Sequence, residues 1–350
     1  MESAMKTKVL MIARFSRSAA AKGIANNNGL THAADATYEC LKNVKELDIE
    51  YSLVQQPAEI DDSLQQHKPK FVFIDGLWLK PEQVKALQKV HSNTIFILRI
   101  HSDAAFIAQE GTFSNWFYKY IDIPNVYVAF NGKDLYDVIK GCYSSGSHKV
   151  LYLPNMYPID KSSDKTMTRE PNIIRISSFG AARVLKNHFA QALAALKFAE
   201  LLGKKLIFYI NINTADISGL AIYLNILYLI KQHPSCKHEV KLIEWTDHKQ
   251  FLEAIREVDI GMQASLSETF NLVSCDTLAT GTPIVGTKEI PWIHWIGRCN
   301  PTSHSSVVSA LWRAYMFRRL NVYLNRRSLK RFSDKSIKIW KKLLLGELGR

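Results

Sequence analysis

The 350-residue chain has few cysteines, and none of them has the spacing of a metal site. The five are odd in number and scattered along the chain: Cys40, Cys142, Cys236, Cys275 and Cys299. This usage indicates a reducing compartment and argues against structural zinc. The sequence therefore predicts a cytoplasmic protein, and it predicts no metal site.

Long apolar runs are also missing. A transmembrane helix needs about 18 consecutive apolar residues, and the nearest segment, residues 207–230, is interrupted by Asn211, Asn213 and Asp216. At the N-terminus only Lys6 and Lys8 precede a run that is typical of a strand, so no signal peptide is predicted. Short repeats and low-complexity tracts are absent as well, and an ordinary globular protein is expected.

Acidic residues are outnumbered by basic ones. The chain has 32 Asp and Glu against 45 Lys and Arg, a formal net charge of +13. Such an excess favours a polyanionic partner, which is a nucleic acid, an anionic membrane surface or the phosphates of a substrate. The alternative is a solvated basic surface with no partner.

Short apolar segments alternate with helical stretches along most of the chain, which indicates parallel sheets with helices on both faces. Strands are predicted at residues 8–13, 49–54, 71–74, 94–100, 126–130 and 150–153, and again at 173–177, 206–212, 240–244, 260–263 and 284–287. The first helix is expected over residues 30–47. A polar stretch, residues 161–171, separates the two series.

The chain length suits two α/β domains rather than one. We predict two Rossmann-like domains facing across a cleft, residues 1–160 and residues 161–325. A basic C-terminal helix, residues 326–350, is expected to pack back on the first domain.

The most informative segment is residues 267–285. A strand is expected to end before it, and a helix is expected to begin near Asn271 and to stop at Gly281. The free N–H groups at the start of that helix, at Asn271, Leu272 and Val273, form an anion site suited to a diphosphate.

Two carboxylates flank this helix start. Asp276 lies about one and a half turns further along, where its carboxylate can accept hydrogen bonds from ribose hydroxyls. Glu268 precedes the helix and can do the same for the hydroxyls of a transferred sugar.

The segment resembles the signature of the retaining GT-B glycosyltransferases, the group 1 or family 4-like enzymes. Their pattern is Glu, seven residues and Glu, with Phe-Gly after the first Glu and a Gly-x-Pro-Val-Val strand after the second. Glu268 and Asp276 have that spacing, Phe270 is in place, and residues 281–285 are Gly-Thr-Pro-Ile-Val. Asp276 replaces the second Glu and is one methylene shorter, and Asn271 replaces the Gly that lets the backbone approach a phosphate.

A second segment, residues 177–187, resembles the family's Gly-Arg…Lys-Gly loop. Gly180 and Lys186 have the family spacing, which implies that Lys186 contacts the donor diphosphate. Ala181 stands where the family has Arg, and Arg183 is the candidate to replace it from a shifted position. For both cations the alternative is a solvated position in a loop.

In the first domain, residues 98–103 are Leu-Arg-Ile-His-Ser-Asp, at the carboxyl end of a predicted strand. Open α/β sheets bind their ligands at that end. His101 resembles the family histidine that contacts the transferred sugar, and the alternative is a structural histidine with satisfied hydrogen bonds. Asp103 is the candidate base if the enzyme inverts. The resemblance itself implies retention, in which cations and helix N–H groups stabilise the oxocarbenium-like centre and the departing diphosphate.

The resemblance implies a nucleoside-diphosphate sugar as donor, with a UDP-sugar as the default and no metal required. The acceptor is expected near the first-domain loop that carries Arg14, Arg17, Lys22 and Gly23. The C-terminal segment, residues 305–350, is basic and rich in aromatic residues, which suits either a DNA backbone or an anionic membrane. Alternatively its aromatic residues pack against the first domain while its cations stay solvated.

Small size and the lack of a hydrophobic anchor favour a soluble polyanionic acceptor. Residues 99–103 and 108–111 also resemble glycosyltransferases encoded by bacteriophages, some of which glycosylate hydroxymethylated bases in duplex DNA. Such a protein acts in the host cytoplasm. Two alternatives stay open, a lipid-linked or polysaccharide acceptor and a non-catalytic nucleotide-sugar-binding protein. Asp276 and Asn271 are the residues that keep the last one open.

Overall fold

The computed structural model describes residues 6–15, 29–143, 146–159, 170–212, 217–235, 237–244 and 246–348. The chain divides into two compact units. The first unit comprises Met1–Pro158 together with Phe332–Arg350, and the second comprises Ile159–Arg331. Each unit contains one six-stranded sheet in which neighbouring strands are parallel.

The first unit has a parallel sheet, and its described connections contain six α-helices. Its strands are β1 (Thr7–Arg14), β2 (Leu47–Val54), β3 (Phe71–Asp75), β4 (Ile95–Ile100), β5 (Val126–Phe130) and β6 (Val150–Tyr152). They lie in the order β2-β1-β3-β4-β5-β6. Among the described residues the helices are α1 (Gly29–Leu41), α2 (Ala58–His67), α3 (Pro81–Val90), α4 (Ala104–Glu110), α5 (Phe113–Ile121) and α6 (Lys133–Cys142).

Both faces of this sheet are buried. Successive residues of a strand point to opposite faces, so Val72 and Ile74 of β3 belong to one apolar core and Phe71 and Phe73 to the other. Uninterrupted apolar strands are typical of sheets that are covered on both sides. Trp340, near the C-terminus, belongs to the second core, where its ring centroid lies 4.8 Å from that of Phe73.

The second unit repeats this architecture. Its strands are β7 (Ile173–Ser178), β8 (Lys205–Asn211), β9 (Glu239–Ile243), β10 (Ile260–Gln263), β11 (Ile284–Thr287) and β12 (Arg298–Cys299), in the order β12-β11-β10-β7-β8-β9. Its helices are α7 (His188–Leu201), α8 (Ile217–Lys231), α9 (His248–Glu257), α10 (Leu272–Ala279) and α11 (His304–Met316). The last helix, α12 (Arg318–Lys342), begins in the second unit and ends in the first.

Polar side chains fix the first half of α12 to the second sheet. The amide of Asn321 bonds both backbone groups of Ile284 in β11, with its oxygen accepting from the N–H and its nitrogen donating to the carbonyl, each at 3.0 Å. Arg326 donates from Nε to the carbonyl oxygen of Leu278 at 2.8 Å. One face of α12 is therefore held against the unit and the opposite face is left to solvent.

The predicted fold class is confirmed, because two parallel sheets follow one another along the chain. The predicted end of the first helix is wrong. This helix stops at Leu41, because Leu47 is buried and pairs with Thr7 in the β1–β2 register. Helix α2 was not predicted, since its segment is mostly polar and it buries only Ile60 and Leu64. Within the described residues, no helix combines the length and the apolar character that crossing a bilayer requires.

Candidate functional site

The strand order of the second sheet reverses between β7 and β10. β7 pairs with β8 on one side and with β10 on the other, so the connections after β7 and β10 leave in opposite directions. Ligands of open α/β sheets bind outside the carboxyl ends of the strands at such a reversal. The segments that follow here, residues 179–187 and 264–271, carry six of the predicted site residues: Gly180, Arg183, Lys186, Glu268, Phe270 and Asn271.

Asn271 supplies the backbone conformation for which the family pattern has glycine. Its φ is 64°, in the left-handed region, and Asn is among the few side chains that tolerate this conformation. The substitution therefore keeps the turn into α10. Its side-chain oxygen accepts a hydrogen bond from the N–H of Ser274 at 2.8 Å and so caps the helix.

The amide nitrogen of Asn271 reaches back toward the strand end. It donates to Oε1 of Gln263 at 2.9 Å and to Oε1 of Glu268 at 2.7 Å. Gln263 in turn donates to the carbonyl oxygen of Phe179 at 2.8 Å, which ties the ends of β10 and β7 together. One side chain thus caps α10 and positions the predicted sugar-binding carboxylate.

Two N–H groups stay open at the start of α10. Asn271 caps the N–H of Ser274, whereas the N–H groups of Leu272 and Val273 donate no hydrogen bond to another described residue. Both residues are half-buried. The positive end of the helix dipole adds to the attraction for an anion, so these N–H groups suit the predicted diphosphate position.

Glu268 and Lys186 form an ion pair beside these groups. Nζ of Lys186 lies 2.6 Å from Oε1 of Glu268, and the two side chains are 21% and 5% exposed. Oε1 also receives the bond from Asn271, whereas Oε2 accepts none from the described residues. The carboxylate is therefore held on one side and left with an oxygen that can accept from a ligand hydroxyl.

The loop after β7 is fixed from several directions. The N–H of Gly180 donates to Oδ1 of Asn211 at 2.7 Å, and its φ of 111° is strained for any residue with a side chain. The N–H of Leu266 donates to the carbonyl oxygen of Leu185 at 2.8 Å and joins the two loops of the site. Arg183, at the start of a short 3₁₀ turn, is exposed.

Phe270, another predicted donor-binding residue, packs against an aromatic ring of the protein. Its side chain is buried, and its ring lies edge-on to that of Trp292 at 6.3 Å. Nε1 of Trp292 donates to the carbonyl oxygen of Phe270 at 2.8 Å. Phe270 therefore supports the loop from beneath.

Asp276 has a partner that the sequence did not reveal. Its buried carboxylate accepts a bond from Nε2 of His248 at 3.0 Å. His248 is the first residue of α9, whose cap is Asp247, an acceptor for the N–H of Gln250 at 2.8 Å. Asp247, a residue type that commonly caps a helix start, is the sequence signal for this helix.

A second histidine is buried at the edge of the site. His188 begins α7, and burial lowers its pKa to about 3, with the nearby charge of Lys186 acting in the same direction. The imidazole is therefore neutral at physiological pH.

Three other residues of the second unit are close enough to suggest a metal site, but their protonation does not fit one. His238 accepts at Nδ1 from the N–H of Leu206 at 2.9 Å, so its proton is on Nε2, which lies 2.6 Å from Oε1 of Glu200. The neutral ring has no lone pair left on the side that faces Glu200 and His233. These residues form a hydrogen-bonded surface cluster.

The first unit has its own polar cluster at the carboxyl edge of its sheet. Nη1 of Arg99 lies 2.7 Å from Oδ1 of Asp75, and Nη2 donates to Oδ1 of Asn155 at 2.7 Å. Nε2 of His101 lies 2.6 Å from the same oxygen of Asp75. Asp75 and Asn155 were not predicted from the sequence, because they are far apart in the chain.

Burial and the neighbouring charges set the pKa values of the side chains in this cluster. Burial raises the pKa of Asp75, but Arg99 and His101 outweigh it and hold that pKa below its usual value. Burial lowers the pKa of His101, so the ring is neutral and donates from Nε2, while Nδ1 faces the amide of Asn155 at 3.4 Å. Both ring nitrogens of His101 are thus directed at protein groups. Asp103 lies at the start of α4, half-buried.

Only one predicted acceptor-side residue can be placed. Arg14 ends β1, and its guanidinium lies 5.4 Å from the centre of the Trp78 ring. Arg17, Lys22 and Gly23 lie outside the described residues.

No protein-family model and no curated protein sequence matches the chain. Solved structures match it over nearly its whole length. The trehalose-6-phosphate synthase OtsA has a TM-score of 0.71 at 12% identity, with 98% of this chain and 99% of that chain covered. A UDP-forming α,α-trehalose-phosphate synthase from Burkholderia vietnamiensis has a TM-score of 0.66 at 11% identity, with 99% and 97% covered. The lipopolysaccharide outer core galactosyltransferase WaaB has a TM-score of 0.57 at 11% identity, with 96% and 98% covered.

The chain has the GT-B fold. The fold implied by residues 267–285 is thereby confirmed. At this level of identity the likeness concerns the fold, so the chemistry of this GT-B chain has to be argued from its own residues.

Proposed function

We propose that the protein is a glycosyltransferase that moves a sugar from a nucleoside-diphosphate sugar to an acceptor hydroxyl. The observation that carries the proposal is the grouping of the Lys186–Glu268 ion pair with the open N–H groups of Leu272 and Val273 at the strand-order reversal of the second sheet. A cation and N–H donors bind phosphate oxygens, and a carboxylate binds hydroxyls.

The donor diphosphate would take the N–H groups of Leu272 and Val273 and the ammonium of Lys186. Lys186 would then exchange its partner, from Glu268 to a phosphate oxygen. Glu268 would keep its place through Asn271 and accept hydrogen bonds from the transferred sugar with Oε2. Gly180 and Arg183 would line the same loop, and Asp276 would accept from the ribose hydroxyls.

We propose a UDP-sugar as the donor. A structurally similar trehalose-6-phosphate structure from E. coli, with a TM-score of 0.67 at 12% identity, is bound with UDP-2-fluoro glucose. Transferred to this chain, that similarity favours UDP over the other nucleoside diphosphates.

We also propose that transfer proceeds with retention. The proposed donor groups are cations and N–H donors, which stabilise a departing diphosphate and need no strong base. His101 fits the role of a neutral hydrogen-bonding residue better than that of a base, because its ring nitrogens are directed at Asp75 and Asn155. Inversion would assign the base to Asp103.

The identity of the acceptor is the most specific part of the proposal. The sequence predicts hydroxymethylated bases of duplex DNA, a prediction that depends on charge and on the resemblance to glycosyltransferases encoded by bacteriophages. A lipid-linked acceptor is the second candidate, and one observation favours it: apolar side chains are exposed beside the cations at the start of α12.

The donor proposal is tested by thermal denaturation with UDP, GDP, ADP and their sugar conjugates. We expect UDP and a UDP-sugar to raise the melting temperature, since a ligand that binds only the folded state stabilises it. Slow hydrolysis of the UDP-sugar without acceptor should accompany binding. Binding without hydrolysis would favour a non-catalytic nucleotide-sugar-binding protein, and a melting temperature that no nucleotide shifts would overturn the proposal.

A further inference from the structure

The junction of α11 and α12 carries four large apolar side chains that are open to solvent. Met316, Phe317, Leu320 and Tyr323 are 64%, 55%, 46% and 58% exposed. All four belong to the second unit and lie within eight consecutive positions. Single exposed apolar residues are common, but contiguous ones mark an interaction surface. We call these four residues the junction patch.

The patch continues into a cationic strip along the same face of α12. At about 100° per residue, Leu320, Tyr323, Arg327 and Arg331 fall within an arc of about 80°. Asn321, Asn325 and Leu329 are buried on the opposite side of the helix. The outward face of this part of α12 therefore runs from apolar to basic.

The charge around the patch is positive as far as Ser333, and the first carboxylate to follow in α12 is Asp334. Residues 290–333 contain eight Lys and Arg and no Asp or Glu. Some of these cations have structural tasks, as Arg313 and Arg326 show by donating to backbone carbonyls. Arg319, Arg327 and Arg331 are exposed, and they form no ion pair with any residue that the structure describes.

The combination of exposed apolar side chains and exposed arginines distinguishes between two classes of anionic partner. A DNA backbone binds the cations, but it leaves Met316 and Leu320 in water, since phosphates and sugars offer no apolar surface to them. The interface of a bilayer accepts both, with apolar side chains entering the boundary of headgroups and acyl chains while cations meet lipid phosphates.

We propose that the junction patch and the adjoining cations dock the protein on an anionic phospholipid surface. Phe317 and Leu320 enter the interface, and Arg327 and Arg331 bind lipid phosphates. The surface lies apart from the Lys186–Glu268 site in sequence, so the inference does not rest on the proposed sugar transfer.

Vesicle co-sedimentation tests the docking. The full-length protein is mixed with vesicles of phosphatidylcholine alone or of equal parts of phosphatidylcholine and phosphatidylglycerol. We expect binding to the anionic vesicles only, weakened by salt. An Arg327→Gln/Arg331→Gln variant should bind about 25-fold more weakly, at about fivefold per cation near the surface.

The apolar contribution is tested with a matched pair of variants. Leu320→Ser/Tyr323→Ser should lower vesicle affinity on the order of tenfold. Leu201→Ser/Tyr228→Ser changes the same residue types at equally exposed positions of α7 and α8 and should bind as the unchanged protein does. Circular dichroism verifies that every variant is folded.

Three outcomes would overturn the proposal: no binding to anionic vesicles, equal losses in the two Leu/Tyr variants, or arginine-dependent binding of duplex DNA with none to vesicles. Hydrolysis of a UDP-sugar in solution should be unchanged in all of these variants. A failure of docking is thus distinguishable from a failure of the donor site.

Discussion

Each unit has an ion pair at the carboxyl edge of its parallel sheet. The two pairs differ in how far their side chains are exposed to solvent. In the first unit, Arg99 and Asp75 are buried and bond to His101 and Asn155, and the atoms of the pair that have no partner, Nε of Arg99 and Oδ2 of Asp75, are out of reach of solvent. In the second unit, Lys186 is partly exposed and Glu268 keeps an oxygen without a partner among the described residues. A cluster that is closed to solvent stabilises a fold, whereas a partly exposed one can exchange a protein partner for a ligand.

The largest effect is expected from breaking the closed cluster. Arg99→Met leaves the Asp75 carboxylate buried without its counter-charge, and the free energy of unfolding should fall by about 3–5 kcal/mol. Chemical denaturation measures the loss. Asp75→Asn/Arg99→Met removes both charges and should recover a large part of it. A single variant as stable as the unchanged protein would show that the buried pair contributes nothing.

Breaking the Lys186–Glu268 ion pair should affect activity instead of folding. Glu268→Ala removes the proposed sugar-binding carboxylate, and we expect transfer or donor hydrolysis to fall by roughly a hundred- to a thousandfold. The melting temperature should hardly change, because Glu268 lies in a loop. Glu253→Ala, an exposed residue of α9, is the control that should keep full activity. An unfolded Glu268→Ala variant would make this residue structural.

His188, one of the buried histidines of the second unit, extends the comparison to the effect of pH. His188 has a folded-state pKa of about 3, below the value of about 6.5 for an unfolded chain. The unfolded state therefore binds the proton first, and stability is lost as pH falls below 6.5. Between pH 7 and pH 5 the loss is about 2 kcal/mol. Urea denaturation at both pH values should show it.

His188→Leu removes this titration and should flatten the pH dependence of stability. His304→Gln, at an exposed position, should leave the dependence as it is in the unchanged protein. If the His188 variant responds to acid as strongly as the unchanged protein, another group is responsible.

The smallest expected effect is on donor affinity. Lys186→Ala removes one charge-assisted bond to the proposed diphosphate and should raise the Kd for UDP about tenfold, measured by isothermal titration calorimetry. Lys249→Ala provides an exposed cation of α9 as control. An unchanged Kd in the Lys186 variant would remove this residue from the donor site.

The sequence predicted those features whose residues all lie within one continuous segment. Alternating apolar and helical segments predicted both sheets, because strands buried on two faces are apolar throughout. Residues 267–285 predicted a turn, a helix start and two carboxylates, since all of these lie within one short stretch of chain.

The sequence was a poor guide to partners that come from distant segments. The bonds from Asn271 to Gln263 and Glu268 were within reach of local reasoning, but Asn211 for Gly180 and His248 for Asp276 were not. Asp75, Arg99 and Asn155 come from three different strand ends. Such contacts follow from the order of strands in the sheet, which a single sequence does not reveal.

Helix α12 has a consequence for how the chain folds as it is synthesised. Phe332–Arg350 belongs to the first unit, although the whole second unit precedes it in the chain. The core around Phe73 cannot be completed until Trp340 has left the ribosome, where its ring covers Phe73 and its Nε1 donates to the carbonyl oxygen of Pro154 at 3.0 Å. The first half to be translated is therefore the last to be finished, and its open core must be kept from aggregating while the second unit is made.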